Sequence, residues 1–497
     1  MCGIIGIINA LPSSSEFSNN ASYDVYRGLL TLQHRGQDSA GILTYDHTSR
    51  EFHLEKRKGL VSNVFDKSTL EELKGNLSIG HTRYVTVGSD HKSNIQPMVT
   101  GIPFGIGMVH NGNILNFYNI KKILREETGS HLLSNNDVEL ILNLWCHHMI
   151  NMSTRGFELD IAVKALREVY QTLIGAYSVV GIVSGMGLFA FRDPHGIRPL
   201  VLGKKEVFGE PTSWCFTSET LALNILGYEY EREVKPGEFI FIDNYGNMYN
   251  TIIKSEEKNS HCMFEWVYFS GVESELEGMS VYTARLNLGK HLSKKIQHEI
   301  DNKIINPDVV VPVPDTSRTA AIAIAETLKL PYREALIKNR YVYRSFILGN
   351  QQKREQAVEQ KLSPVKSEIL GKNILLVDDS IVRGTTSKKI VALLKRYGAS
   401  SVTLVSTCPP LRYPCFYGVD FPSEEELIAS HRTEEEIAQI LGVDRVIYLN
   451  IADLKLSLQH ENLCLACLNN DYPTPITDKN IFQEIRTNEL KTQRGYV

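Results

Sequence analysis

The apolar positions of this chain change rhythm near residue 250. Before that point, short runs of β-branched and aromatic residues recur between turn signals over 3–8, 40–45, 77–80, 104–109, 177–183, 188–191 and 238–242, and each reads as a strand. Two segments read as helices, 22–33 and 137–152, the second with apolar residues at helical spacing. Together these describe a strand-dominated layer flanked by helices. The polar stretch 252–260 breaks the pattern and reads as a linker. After it strand and helix alternate: 308–313 then 320–328, 373–377 then 387–397, then strands at 401–406 and 445–448. Such alternation predicts a parallel sheet with helices on both faces. The most membrane-like run, 172–191, holds four glycines and the turn signal Ser184-Gly185-Met186-Gly187, so it predicts two buried strands joined by a hairpin.

At 497 residues the chain exceeds one ordinary core, and the change of rhythm divides it into domains at 2–245 and 262–470 with a tail at 471–497. A net charge of −4 leaves no global basic field for holding nucleic acid, so any phosphate chemistry must be local. Eight dispersed cysteines fit a reducing compartment, and the N-terminus lacks the basic start and cleavage site of a signal peptide. The cytoplasm, with no membrane partner, is the expectation.

Cys2 changes the picture most. Removing Met1 would put a thiol and a free α-amine on one residue, a nucleophile carrying its own base. Their ordinary pKa values, roughly 8.5 and about 7.7–8.0, are close enough for proton transfer near neutrality. Taken alone, Cys2 could equally start a buried strand. Several polar segments stand where such a nucleophile needs them: the loop 33–41 containing His34, Arg35 and Gly36, then His81-Thr82-Arg83-Tyr84 after a strand, then Val109-His110-Asn111-Gly112-Asn113 ending another. Asn111 and the Gly112 N–H are the donor types of an oxyanion hole, although Asn-Gly alone also fits a hairpin turn. In the second half, the apolar strand 373–377 runs into Asp378-Asp379-Ser380-Ile381-Val382-Arg383-Gly384-Thr385-Thr386. Loop N–H groups and a helix start suit a 5′-phosphate, and two carboxylates suit ribose hydroxyls and magnesium.

The segments around Cys2 resemble the glutamine amidotransferase domain of the N-terminal-nucleophile hydrolases, over roughly the first 240 residues. That resemblance implies a four-layer αββα domain in which Cys2 attacks the glutamine carboxamide and Asn111 with Gly112 holds the oxyanion. It also implies that Arg83 binds the glutamine carboxylate and Asp137 its ammonium. The stretch from Asp378 resembles the phosphoribosyl pyrophosphate signature of the type I phosphoribosyltransferases, implying a doubly wound parallel-sheet domain and an α/β chain overall. There Asp378, Asp379, Ser380, Arg383, Gly384, Thr385 and Thr386 would bind phosphoribosyl pyrophosphate. Thr316 would join the two aspartates near Mg2+, and Lys338 and Arg340 would meet pyrophosphate.

The two halves in one chain resemble the glutamine phosphoribosylpyrophosphate amidotransferase family. Glutamine-derived ammonia would then pass through a dry interior passage to phosphoribosyl pyrophosphate, with a loop from Lys338 to about Pro364 closing over that substrate. Glucosamine-6-phosphate synthase and asparagine synthetase share the first half but need other acceptor loops, and a non-catalytic regulator would need neither Cys2 nor Asn111. The resemblance further implies a homo-oligomer, tetramer or dimer, and purine nucleotide feedback.

Cys464-Leu465-Ala466-Cys467 has ligand spacing, which alone fits redox, zinc or chance. Cys262 and Cys415 stand where cluster-bearing members of the family have their ligands, so the resemblance implies a [4Fe–4S] cluster on these four thiols, with structural zinc as the rival. Cys146, Cys215 and Cys408 read as small apolar residues. Residues 271–273 depart from the family's Arg-Pro-Asp, putting a local contact between the domains in doubt. Gly349 and the segment 357–362 also depart, implying a looser loop.

Overall fold

The computed structural model describes residues 2–11, 20–84, 92–152, 156–206, 212–256, 258–339, 362–421 and 423–476. The first lobe's strands are β1 (Gly3–Ile8), β2 (Ser39–Asp46), β3 (Glu51–Lys58), β4 (Leu77–Arg83), β5 (Met98–Thr100), β6 (Ile106–Ile114) and β7 (Gly175–Val183). They continue with β8 (Gly187–Arg192), β9 (Val201–Lys205), β10 (Ser213–Thr217), β11 (Glu229–Glu233), β12 (Glu238–Asp243) and β13 (Met248–Ile252). One sheet runs β11-β9-β10-β1-β4-β2-β3 and the other β13-β12-β8-β7-β6-β5. All neighbours pair antiparallel.

Alternation along β1 explains the layering. Ile5 and Ile7 face a core shared with helices α1 (Ala21–Thr31) and, later in the chain, Thr220–Leu226, whereas Ile4 and Ile8 face Val180, Ile182 and Leu188 of the other sheet. Both faces are buried, so the strand reads as an unbroken apolar run. At Gly6 a Cβ would lie 2.4 Å from Val180 Cγ1, which leaves glycine as the residue that fits where the sheets meet. On the far side of the second sheet lie α2 (Phe117–Thr128), α3 (Asp137–Met152) and α4 (Leu159–Thr172), with Trp145 set edge-on against Phe189. Helix, sheet, sheet, helix is the four-layer order expected. The helix Thr220–Leu226 is α5.

The run 172–191 is indeed β7 and β8 joined at Ser184–Gly185–Met186. No helix among the described residues is long and apolar enough to cross a membrane.

In the second lobe, β14 (His261–Cys262) follows the linker and leads to α6 (Val281–Asp301), β15 (Val309–Pro312) and α7 (Arg318–Leu328). The hairpin β16 (Leu336–Lys338) and β17 (Leu362–Pro364) precedes β18 (Asn373–Asp378), α8 (Thr385–Arg396) and β19 (Ser401–Ser406). Then come α9 (Glu434–Leu441), β20 (Arg445–Tyr448), α10 (Ile451–Leu458) and β21 (Leu463–Cys464). The sheet β15-β18-β19-β20 is parallel throughout. Val310, Leu375, Val377, Val405 and Ile447 face α6, α7 and α10, while Val311, Leu376, Leu404 and Val446 face α8 and α9. Burial on both faces is what a doubly wound sheet requires.

Two expectations change. β4 continues through His81, Thr82 and Arg83, which were expected to follow the strand, and β6 carries His110, Asn111, Gly112 and Asn113 within the ladder up to Ile114. Asn111-Gly112 is therefore no hairpin turn: the ladder pairs Gly112 with Tyr177 of β7. The expected closing loop is bounded by β16 and β17, but Arg340, Gly349 and 357–361 lie outside the described residues, as does most of the tail.

Candidate functional site

Cys2 precedes the central strand of its sheet, so its position is fixed by β4 on one side and β10 on the other. Its backbone N–H donates to Asn111 Oδ1 at 3.2 Å, and its thiol lies 3.9 Å from the Tyr84 carbonyl. With Oδ1 so engaged, the Asn111 Nδ2 is buried and the described residues offer it no acceptor. A buried amide donor left without an acceptor on the residue that holds the Cys2 N–H is costly for the fold and useful for an oxyanion. Gly112 adopts φ +149, and a Cβ there would stand 1.9 Å from the Ala176 carbonyl oxygen.

Arg83 and Asp137 come together nearby. The Arg83 guanidinium donates to the Asn94 carbonyl at 3.0 Å, and the Ile114 N–H donates to Asp137 Oδ2 at 3.0 Å. Burial pushes Asp137 up to about 7, against the pull of the Ile114 N–H and Arg83. A carboxyl so raised is one that a bound ammonium would return to its ionised form.

In the second lobe, Asp378 ends β18 and Asp379 follows it, both buried. Burial and then the neighbouring Asp379 push Asp378 well above the usual carboxylate range; Asp379 is raised by burial against Thr316, Ser380 and Arg285. The Thr316 hydroxyl donates to Asp379, and Ser380 Oγ donates to it at 2.8 Å. Gly384 caps α8 in the left-handed region at φ +72, which turns the first N–H groups of the helix toward the same loop. Two adjacent buried acids with a hydroxyl beside them fit a hard divalent cation. Arg383 is turned aside, its Nε donating to Glu426 at 2.9 Å, and Lys338 pairs with Asp315 at 2.7 Å.

The four cysteines of the expected cluster converge between the lobes. Cys262 and Cys464 are register partners in the short parallel pair β14·β21, and the Arg412 and Tyr413 N–H groups donate to the Cys467 carbonyl. Cys415 Sγ accepts from the Tyr417 N–H at 3.4 Å. Burial pushes the Cys262 thiol up to about 11 and raises Cys464 and Cys467 as well. Among the described residues no three such side chains close up as around a single ion. Cys262, Cys464 and Cys467 share one buried core with Cys415 packed against it, and the Arg198 guanidinium is in electrostatic reach of Cys262, Cys415 and Cys464; thiols are the donor type an iron–sulfur cluster takes.

Sequence reading placed Arg35 in a polar loop serving Cys2 but missed the buried ion pairs that join these centres. Arg35 Nε donates to the Cys2 carbonyl at 3.0 Å, and its Nη atoms pair with Glu219 and Glu265. Arg198 reaches Glu265 at 3.4 Å and donates through Nε to the Tyr417 carbonyl at 2.8 Å. An acid inside the apolar run Met263–Val267 was the available signal. The departure at 271–273 does not remove the contact between lobes: the Gly271 N–H and Ser274 Oγ each donate to Glu219 Oε2 at 2.8 Å.

A glutamine amidotransferase domain family matches residues 81–224 and a phosphoribosyl transferase domain family matches residues 280–414. The chain is 42% identical over 462 residues to an amidophosphoribosyltransferase of Haemophilus influenzae, spanning 93% of this chain and 90% of that one. It is 40% identical over 490 residues to one of Methanothermobacter thermautotrophicus, spanning 98% and 97%. A solved structure with a similar fold is the glutamine phosphoribosylpyrophosphate amidotransferase of B. subtilis complexed with ADP and GMP, at 36% identity and a TM-score of 0.83 over 97% of this chain and 100% of that one.

Proposed function

The chain belongs to the amidophosphoribosyltransferase family, and from that premise we propose how its residues divide the work. Its reaction converts phosphoribosyl pyrophosphate, glutamine and water into 5-phosphoribosylamine, glutamate and pyrophosphate, the first step of purine biosynthesis. Once Met1 is removed, the Cys2 α-amine takes the thiol proton and the sulfur attacks the glutamine carboxamide. Asn111 Nδ2 and the Gly112 N–H hold the oxyanion, ammonia leaves, and water cleaves the thioester to glutamate. Arg83 and Asp137 bind the amino-acid end of glutamine.

In the second lobe the loop from Ser380 to Thr386, opening α8, binds the 5′-phosphate, and Asp378 with Asp379 orients the ribose. Ammonia attacks C1 and pyrophosphate departs. Magnesium held near Asp379 and Thr316 would supply positive charge to the leaving diphosphate. A [4Fe–4S] cluster on Cys262, Cys415, Cys464 and Cys467 would tie linker, transferase core and C-terminal segment together. Purine nucleotides, the class bound by the B. subtilis relative, are proposed as regulators, and the assembly as a cytoplasmic tetramer or dimer.

The observation that carries the glutaminase assignment is the Asn111 carboxamide: its oxygen is fixed on the Cys2 N–H and its nitrogen left as a buried donor. Glutamate release by anaerobically purified protein tests it, with and without phosphoribosyl pyrophosphate and Mg2+, in wild type and Cys2→Ala. We expect the acceptor to stimulate wild type, and Cys2→Ala to lose glutamine use while retaining phosphoribosylamine synthesis from ammonium. Indifference to the acceptor would overturn the reading. Iron and sulfide analysis of the same preparation separates the cluster from zinc.

A further inference from the structure

We infer that the second lobe's loop at Phe416, Tyr417 and Gly418 is a working part of the first lobe's oxyanion hole, and that Asn113 and Gly418 are positioning residues for amide hydrolysis. The inference rests on the functional reading above and adds residues from both lobes to it.

Gly112 is held on two sides. Toward β7 it has no room for a Cβ, which would meet the Ala176 carbonyl oxygen at 1.9 Å. Toward the second lobe it meets Gly418, whose own Cβ would stand 3.1 Å from the Gly112 oxygen and 3.2 Å from its carbonyl carbon. Gly418 sits at φ +99, a conformation that side chains disfavour, so the contact is backbone against backbone. One residue on, Asn113 is buried, and its Nδ2 donates to the Phe416 carbonyl across 303 residues of sequence at 2.8 Å.

The same loop is anchored in turn. Arg198 donates to the Tyr417 carbonyl and meets Glu265, which pairs with Arg35, whose Nε holds the Cys2 carbonyl. Nucleophile and oxyanion donor therefore share one support, which crosses between the lobes through Arg35, Glu265, Arg198 and the Tyr417 carbonyl. An oxyanion donor stabilises the tetrahedral state only at the right distance, so a small displacement of the Gly112 peptide should slow chemistry without weakening glutamine binding.

Gly418→Ala and the isosteric Asn113→Asp test this. Glutamate release should fall about tenfold in kcat with KM for glutamine unchanged, while phosphoribosylamine synthesis from ammonium stays within about twofold of wild type. An unchanged kcat, a rise in KM alone, or parallel loss of both activities would overturn the inference, the last marking a structural role only. Wild type lacking ammonium-dependent synthesis would instead overturn the functional reading itself.

Discussion

Asp137 shows how one side chain can set a pH dependence. It is buried with its carboxyl raised to about 7 despite the pull of Arg83, and the glutamine ammonium proposed to bind it would add a second positive charge. On the proposed role binding needs the ionised form, so protons and glutamine would compete. As pH falls below about 7, KM for glutamine should rise by up to about tenfold per unit in wild type, and the slope should vanish in Asp137→Asn. A flat profile in wild type would separate Asp137 from the ammonium. The residue types of this site were legible because chemistry restricts them: a thiol after the initiator, an amide beside a glycine, two acids at a strand's end. Their protonation was not, since it depends on burial that no local pattern encodes.

Among the elements, the apolar runs located β1, β2, β4, β6, β7, β8 and β12 but missed β3, β5, β9, β10, β11 and β13, and they placed strand ends poorly. β4 and β6 carry polar residues onward because ladder hydrogen bonds use only the backbone, and the site needs those side chains. The longest helix, α6, was not anticipated. Its inner face includes Arg285, Ser293 and Glu299, which dilute the periodic signal. Each is satisfied: Arg285 donates to the Trp266, Tyr268 and Ser270 carbonyls, Ser293 Oγ donates to the Gly289 carbonyl at 2.8 Å, and Glu299 pairs with Arg445. The start of α8 depends on glycine more strictly. In Gly384→Ala the new Cβ would lie 2.5 Å from Ile428 Cδ1 with φ at +72, a strain of about 1–3 kcal/mol. KM for phosphoribosyl pyrophosphate, read in the ammonium-dependent assay, should rise about tenfold. No change would mean that the phosphate loop tolerates a different turn.

Across the whole molecule, the two lobes share a charged interior. Arg35, Arg198, Glu219 and Glu265 are all buried, two cations against two anions. Glu265→Gln would leave two guanidinium groups facing one carboxylate, an imbalance costing about 3–5 kcal/mol. Calorimetry should show the unfolding temperature several degrees lower, and an unaltered profile would assign the pairing no share in stability. Partners 67 to 230 residues apart leave no mark on local sequence, which is why the two lobes were legible and their junction was not.

The central placement of β1, with neighbours on both sides, has a practical corollary. A purification tag belongs at the carboxyl end. Foreign residues ahead of Cys2 would have to be clipped away by the expression host, and an incompletely trimmed batch would behave at the bench as two enzymes mixed, one able to use amides and one not.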